Sequence, residues 1–113
     1  MGSGLLVMRL REAIDRLPSL GDEISICARR PWTAEADCVA TALVEPHLSV
    51  PPEVKAAGFE YFIDVPTAKE VLGVLRDPPP TAEEVVSLLI YYAEYDAYPE
   101  WVYSRQDRDP FMP

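Results

Sequence analysis

Two helix-start signals separated by three prolines constrain the C-terminal half of this 113-residue chain most strongly. Thr67 and Thr81 are each followed three residues later by a glutamate, which is the spacing of a capping box. The prolines at 78–80 cannot continue a helix because each lacks the amide that the helix needs. The pattern predicts two separate helices, the first ending at these prolines and the second at Pro99.

The N-terminal part of the chain predicts one helix followed by strands. Apolar residues recur at helical spacing over residues 6–17, and the pattern stops at Pro18. Three later segments are short and apolar, and two of them alternate with the period of a half-buried strand. These segments are residues 23–29, 37–45 and 59–65.

The connections between the predicted strands favour an antiparallel sheet. Residues 46–58 contain prolines and have room for at most one helical turn, which is too little for the crossover helix between parallel strands. We expect an α+β fold in the order α-β-β-β-α-α, with a small antiparallel sheet of about three strands packed against three helices. We expect residues 1–113 to form a single domain with a mobile tail at 104–113. The native start is either Met1 or Met8, and in the second case residues 1–7 are a tag or extension.

Composition excludes several classes of protein. No apolar run reaches the roughly 18–20 residues that cross a bilayer, and the N-terminus lacks the charged region of a signal peptide, so we expect a cytoplasmic protein that binds no membrane. The formal net charge of −9 disfavours direct binding of nucleic acid. Cys27 and Cys38 are too few for a disulfide framework, and we interpret them as reduced, buried strand residues, with a bridged pair as the alternative.

Acidic and aromatic residues are interleaved near the C-terminus. Between Asp77 and Ser104 there are six carboxylates and no lysine or arginine. Carboxylates speed association with a basic surface, and Tyr and Trp bury large areas with few rotatable bonds to fix. We therefore predict a surface that binds a basic protein, with an aromatic residue between two strands as a further anchor. The predicted contact residues are Glu94, Tyr95, Asp96, Tyr98, Glu100, Trp101 and Trp32.

The same residues have structural alternatives. Tyr91, Tyr95 and Tyr98 fall at i, i+4 and i+7, so they would share one side of a helix, apart from its core side. This stripe either packs against the sheet or the first helix, or lies exposed as a contact surface, where it would also serve a homodimer. The basic pair at 29–30 is either solvated or an internal counterion for the acids.

Catalytic and metal-binding patterns are weak. His47 lies in a loop between prolines with no ligand at metal-binding spacing, which favours a solvated side chain over a metal ligand or a general base. The five glycines form no phosphate-binding loop. Glu83 and Glu84 fit the N-terminus of a helix. We expect no cofactor, no metal and no enzymatic activity; an enzyme built on Asp and Glu alone is the alternative.

Three parts of the chain carry a resemblance to a known family by their order and character. They are the opening helix leading into residues 16–20, the aromatic strand at 59–65, and the final helix with residues 91–98. In these parts the chain resembles small bacterial immunity proteins of contact-dependent growth inhibition and related polymorphic toxin systems. The resemblance implies a cytoplasmic antidote that binds a cognate toxin domain, commonly a nuclease with a basic surface, and blocks its active site or substrate-binding face. A small acidic adaptor or regulatory subunit for a non-toxin partner is the alternative.

Overall fold

The computed structural model, which describes residues 5–75 and 79–106, is built around a four-stranded antiparallel sheet. The strands lie in the order β1-β3-β2-β4, and they are β1 (Met8–Arg9), β2 (Ile24–Ala28), β3 (Asp37–Ala42) and β4 (Glu60–Asp64). The helices in these residues are α1 (Leu10–Asp15), α2 (Pro52–Ala56), α3 (Val65–Leu72), α4 (Ala82–Tyr95) and α5 (Glu100–Gln106), with a 3-10 turn at Leu17–Ser19. The α+β class is confirmed, but these residues contain one strand (β1) and two helices (α2 and α5) more than the predicted order.

Helices cover both faces of the sheet. The main core lies between one face and helices α1, α3, α4 and α5, and Ile26 of β2 is buried in it. A smaller cluster on the other face joins Cys27 of β2 to Val54 of α2. The alternation over residues 23–29 predicts a half-buried strand, but Cys27 is buried as well because it packs with Val54 of α2 on the second face, and Ser25 is also buried.

The edge strand β1 replaces the first turn of the predicted N-terminal helix. Its two residues pair antiparallel with β3. Helix α1 begins only at Leu10, whose amide donates to the carbonyl of Ala36 at 2.8 Å. The helix predicted over residues 6–17 is therefore wrong at its start, because a strand of two residues is too short to show an alternating pattern.

The two cysteines lie on neighbouring strands and are free thiols. Cys38 lies opposite Ala28 and belongs to the main core, whereas Cys27 belongs to the cluster under α2, so the two side chains point to opposite faces. Burial raises the pKa of Cys27 to about 11. Burial, helped by the carboxylates of Glu12 and Asp37, raises the pKa of Cys38 to about 12. The interpretation as reduced, buried residues is confirmed, and the bridged alternative is wrong.

Helix α3 begins earlier than the capping-box pattern at Thr67 predicts. Asp64 is the N-cap, and its carboxylate accepts hydrogen bonds from the Thr67 amide at 3.0 Å and the Thr67 hydroxyl at 2.8 Å. The Tyr61 hydroxyl donates to the same carboxylate at 2.8 Å. Pro66 is tolerated because the amides of the first turn have no partner within the helix. The predicted capping box at Thr67 is therefore wrong, and Thr67 instead binds the cap.

Replacing Asp64 by alanine is expected to lower the free energy of unfolding by about 1–2 kcal/mol near neutral pH, because α3 loses its N-cap. Burial alone would raise the pKa of Asp64, but hydrogen bonds from Thr67 and Tyr61 outweigh it and lower the pKa. Such a carboxylate stabilises the fold above its unfolded-state pKa, and the stabilisation disappears as pH falls through the folded-state pKa. Urea unfolding of the wild type and Asp64→Ala should therefore differ less below about pH 4.

Asp64→Asn is the matched control, because asparagine also caps helices but carries no charge. It should lose less stability than the alanine variant near neutral pH. A stability difference between wild type and Asp64→Ala that stays constant down to about pH 2 would show that the ionised carboxylate is not the cap.

Helix α4 begins as predicted and ends earlier. The Glu84 amide donates to the Thr81 hydroxyl at 3.1 Å and the Thr81 amide to the Glu84 carboxylate at 2.9 Å, so this capping box is confirmed. Asp96 follows the last helical residue with a left-handed φ of 52°. The helix therefore ends before Pro99, because the chain leaves helical geometry at Asp96.

Helix α5 follows and packs against the main core through the buried side chain of Val102. The predicted tail over residues 104–113 overlaps α5 at residues 104–106. Residues 107–113 of that tail, and residues 1–4 of the predicted N-terminal extension, lie outside the described residues. Across the described ranges 5–75 and 79–106, no helix has the length and apolar character needed to span a membrane.

Candidate functional site

An open groove of about 840 Å³ runs along the whole of α4. Two rows of α4 side chains line it, each with a spacing of four residues. One row runs from Ala82 to Glu94 and the other from Glu83 to Tyr95, and Arg11 of α1 contributes to the opposite wall. We call this surface the α4 groove. Residues four apart in a helix lie on one face, so the groove follows a single face of α4 from its first turn to its last.

The apolar part of the α4 groove consists of two half-buried aliphatic residues and two exposed aromatic ones. Val86 and Ile90 pack against the main core from the groove side. Tyr91 is 36% exposed and Tyr95 65% exposed, and their ring centroids are 4.7 Å apart. The two rings support each other at i, i+4 spacing, so they present one aromatic surface to solvent.

Carboxylates outnumber cations in the α4 groove. Its charged residues are Glu35, Glu83, Glu94 and Arg11. Arg11 pairs with Glu35 at 2.9 Å, and Glu94 pairs with Arg30, which lies outside the groove lining. Glu83 forms no ion pair with any residue in the described part of the chain. The groove therefore has a net negative charge.

Arg30 links the groove to the sheet. One guanidinium nitrogen donates to the Glu94 carboxylate, and Nε lies 3.7 Å from a Glu60 carboxylate oxygen. The guanidinium carbon lies 3.7 Å from the centroid of the Trp32 ring, a cation–π geometry. Arg30 is therefore an internal counterion for Glu94, one of the two alternatives that the sequence left open.

Trp32, one of the predicted contact residues, is half-buried against the main core. Its indole nitrogen donates to the carbonyl of Ala28 at 3.2 Å, and its ring meets the Phe62 ring edge to face at 5.0 Å. With Arg30 on one side of the ring and Phe62 on another, Trp32 has a structural role whether or not a partner contacts it.

The predicted stripe of three tyrosines is divided by the end of α4. Tyr91 and Tyr95 share a helical face, but the left-handed Asp96 redirects the chain. Tyr98 packs its ring on Tyr92 instead, with centroids 5.6 Å apart, and lies half-buried against the main core. The expectation that Tyr98 continues the stripe is wrong, because it assumed that the helix ran on to Pro99.

The remaining predicted contact residues lie after α4 in the chain. Asp96 and Glu100 are exposed, while Trp101 is half-buried against the main core. Desolvation raises the pKa of the Tyr92 hydroxyl, with the Asp96 charge and hydrogen bond adding to it. Of the predicted residues, the α4 groove therefore contains only Glu94 and Tyr95.

Several groove residues were not among the contact residues predicted from the sequence, including Val86, Ser87 and Ile90. The sequence did carry a signal for them, because α4 is apolar around much of its circumference and such a helix is expected to be covered on two sides. The main core covers one side, where Leu88 and Leu89 are fully buried. The second apolar side is the α4 groove.

No metal centre is found in the part of the chain that the structure describes, where no three His, Cys, Asp or Glu side chains are placed to share an ion. His47 is exposed in the loop between β3 and α2. No protein-family model, curated protein or solved structure matches the chain. A function therefore has to follow from the α4 groove and its charges.

Proposed function

We propose that the chain is an immunity protein that binds a basic toxin domain in the cytoplasm and neutralises it by covering the toxin's active site or substrate-binding face. The observation that carries the proposal is the exposed Tyr91–Tyr95 pair in a negatively charged groove. Exposed aromatic residues held rigidly by their own fold are typical anchors of protein interfaces, because little side-chain freedom is lost on binding.

The charge of the whole chain supports a basic partner. The net charge of −9 attracts a cationic protein over several ångströms and raises the association rate. A toxin that cleaves nucleic acid needs a basic substrate-binding face to hold phosphates, and such a face would complement this surface. Binding there would exclude the nucleic acid directly.

The acids of this surface differ in how available they are. Glu94 already has Arg30 as a counterion, so a cation from the toxin would have to share it or displace Arg30 toward Glu60. Asp96 is exposed and has no ion pair within the described ranges. Asp96 shares only a hydrogen bond with the Tyr92 hydroxyl, whereas Glu94 is already paired with a cation, so Asp96 should contribute more than Glu94 to the association rate.

The proposal is tested with the toxin itself. We expect the gene immediately upstream to encode a large secreted protein with a C-terminal toxin domain, and co-expression of this chain should restore growth to cells that produce that domain. Tyr95→Ala is expected to weaken the complex at least about tenfold, because a desolvated aromatic anchor is lost. Isothermal titration calorimetry measures the affinity, and raising the salt concentration should slow association more than it speeds dissociation.

Tyr103→Ala is the matched control, because Tyr103 is also an exposed tyrosine, at 56%, but lies on α5 outside the groove. It should leave the affinity unchanged. If the wild-type chain neither binds the upstream domain nor protects the cells, the proposed function is wrong.

A further inference from the structure

We infer that the α4 groove receives a basic amphipathic helix of the partner, an inference that rests on the proposed function and names the element that docks. The groove has three features that together select this occupant. They are its length, the hydrogen bonding of the backbone that lines it, and its pattern of apolar and acidic residues.

The groove is long and open, and most of its lining is the surface of α4. It follows the 14 residues of α4, which at about 1.5 Å per residue is roughly 20 Å. The two rows of residues four apart form parallel ridges, between which the side chains of another helix can pack. An occupant of about four turns would use the whole surface.

The backbone that lines the groove favours a helix over an extended segment. The amides and carbonyls of α4 bond to one another along the helix, so they offer no sheet edge to a partner strand. A strand laid over Val86 and Ile90 would leave some of its own polar backbone groups against apolar side chains without partners. A helix satisfies its backbone internally and needs only side-chain contacts.

The side chains of the groove specify an amphipathic and basic occupant. Val86 and Ile90 form an apolar centre, and Tyr91 and Tyr95 extend it toward the C-terminal end of α4. Glutamates line the groove as well, including Glu83 in the first turn of α4. The matching helix carries aliphatic residues at i, i+3 and i+4 on one face and Lys or Arg on the flanks of that face.

Peptide probes test the inference without the toxin. The first is a 14-residue peptide, the length of α4, with leucines on one helical face and lysines elsewhere. The second has the same composition scrambled so that no face is apolar, and the third has glutamate in place of every lysine. We expect the amphipathic basic peptide to bind at least tenfold tighter than either, by fluorescence anisotropy, and to gain helix by circular dichroism on binding.

Ser87→Arg provides the site-specific variant. Ser87 is exposed and lies in the groove, so arginine there adds bulk and repels a basic helix without disturbing the core. Ser104→Arg makes the same substitution at an exposed position on α5 and is the control. Ser87→Arg should weaken peptide binding at least tenfold, and Ser104→Arg by less than twofold.

The possible outcomes distinguish failure of the helical-occupant inference from failure of the proposed function. Equal binding of the amphipathic and scrambled peptides, or no effect of Ser87→Arg, would overturn the helical occupant. If Ser87→Arg abolishes toxin binding while no peptide binds, the toxin docks in the groove by another element, and the inference is wrong although the proposed function holds. If the amphipathic peptide binds and the upstream domain does not, the helical occupant is supported and the immunity function is wrong.

Discussion

Replacing Trp32 by alanine is expected to lower the free energy of unfolding by about 3 kcal/mol. The substitution removes the edge-to-face contact with Phe62, the hydrogen bond from the indole nitrogen to the Ala28 carbonyl, and the ring under Arg30. It also leaves a cavity beside the main core, against which the indole packs. Urea unfolding followed by far-ultraviolet circular dichroism measures the change, because the substitution removes one of the two tryptophan fluorophores.

Trp32→Phe separates the structural role from a contact with the partner. Phenylalanine keeps an aromatic ring for Phe62 and Arg30 but loses the indole N–H, so we expect a loss of about 1 kcal/mol in stability. If Trp32 only supports the fold, the affinity of this variant for the proposed toxin domain is unchanged. A tenfold loss of affinity with little loss of stability would instead make Trp32 the partner anchor that the sequence predicted.

The elements that could be predicted from the sequence are those whose signals lie within a few residues of one another. The capping box of Thr81 and the alternation of residues 59–65 each depend on neighbours in the chain, and α4 and β4 are present in the structure. β1 could not be predicted, because its two residues are extended only through pairing with β3, nearly thirty positions away. Whether such a short strand forms depends on hydrogen bonds to residues that are distant in the sequence.

Local signals also competed with one another. Before α3, the spacing of Thr67 and its glutamate predicted the N-cap, but Asp64 forms the cap and Thr67 binds it. Asp64 is favoured because the Tyr61 hydroxyl, which comes from the preceding strand, binds the same carboxylate. The earlier cap also adds Val65 to the helix and buries its side chain.

The residues of the α4 groove overlap only in part with those predicted from the sequence, because distant contacts also shape the groove. The interleaved acids and tyrosines predicted a contact surface near the end of α4, and Tyr95 is highly exposed there. Sequence could not show that Glu94 would meet Arg30, which is 64 residues away in the chain. It also could not show that Tyr98 would turn back onto Tyr92, because a left-handed aspartate is a weak helix-end signal compared with the proline three residues later.

Replacing Val102 by aspartate is expected to have the largest effect on stability of any substitution considered. Val102 is 1% exposed and packs α5 into the main core. A carboxylate there would be buried without a cation, or α5 would have to leave the core, and either change costs about 4 kcal/mol or more. Urea unfolding should show the loss, and proteolysis should cut the variant between α4 and α5 if the helix has left the core.

Tyr103→Asp is the control for this variant, because the neighbouring side chain on α5 is 56% exposed and can carry a charge in water. It should change the free energy of unfolding by no more than about 0.5 kcal/mol. The two variants add the same negative charge one residue apart, so a difference between them reports burial rather than charge. Equal stability of the two variants would mean that α5 does not pack on the core, and that Trp101 on α5 is free to join the proposed partner-binding surface.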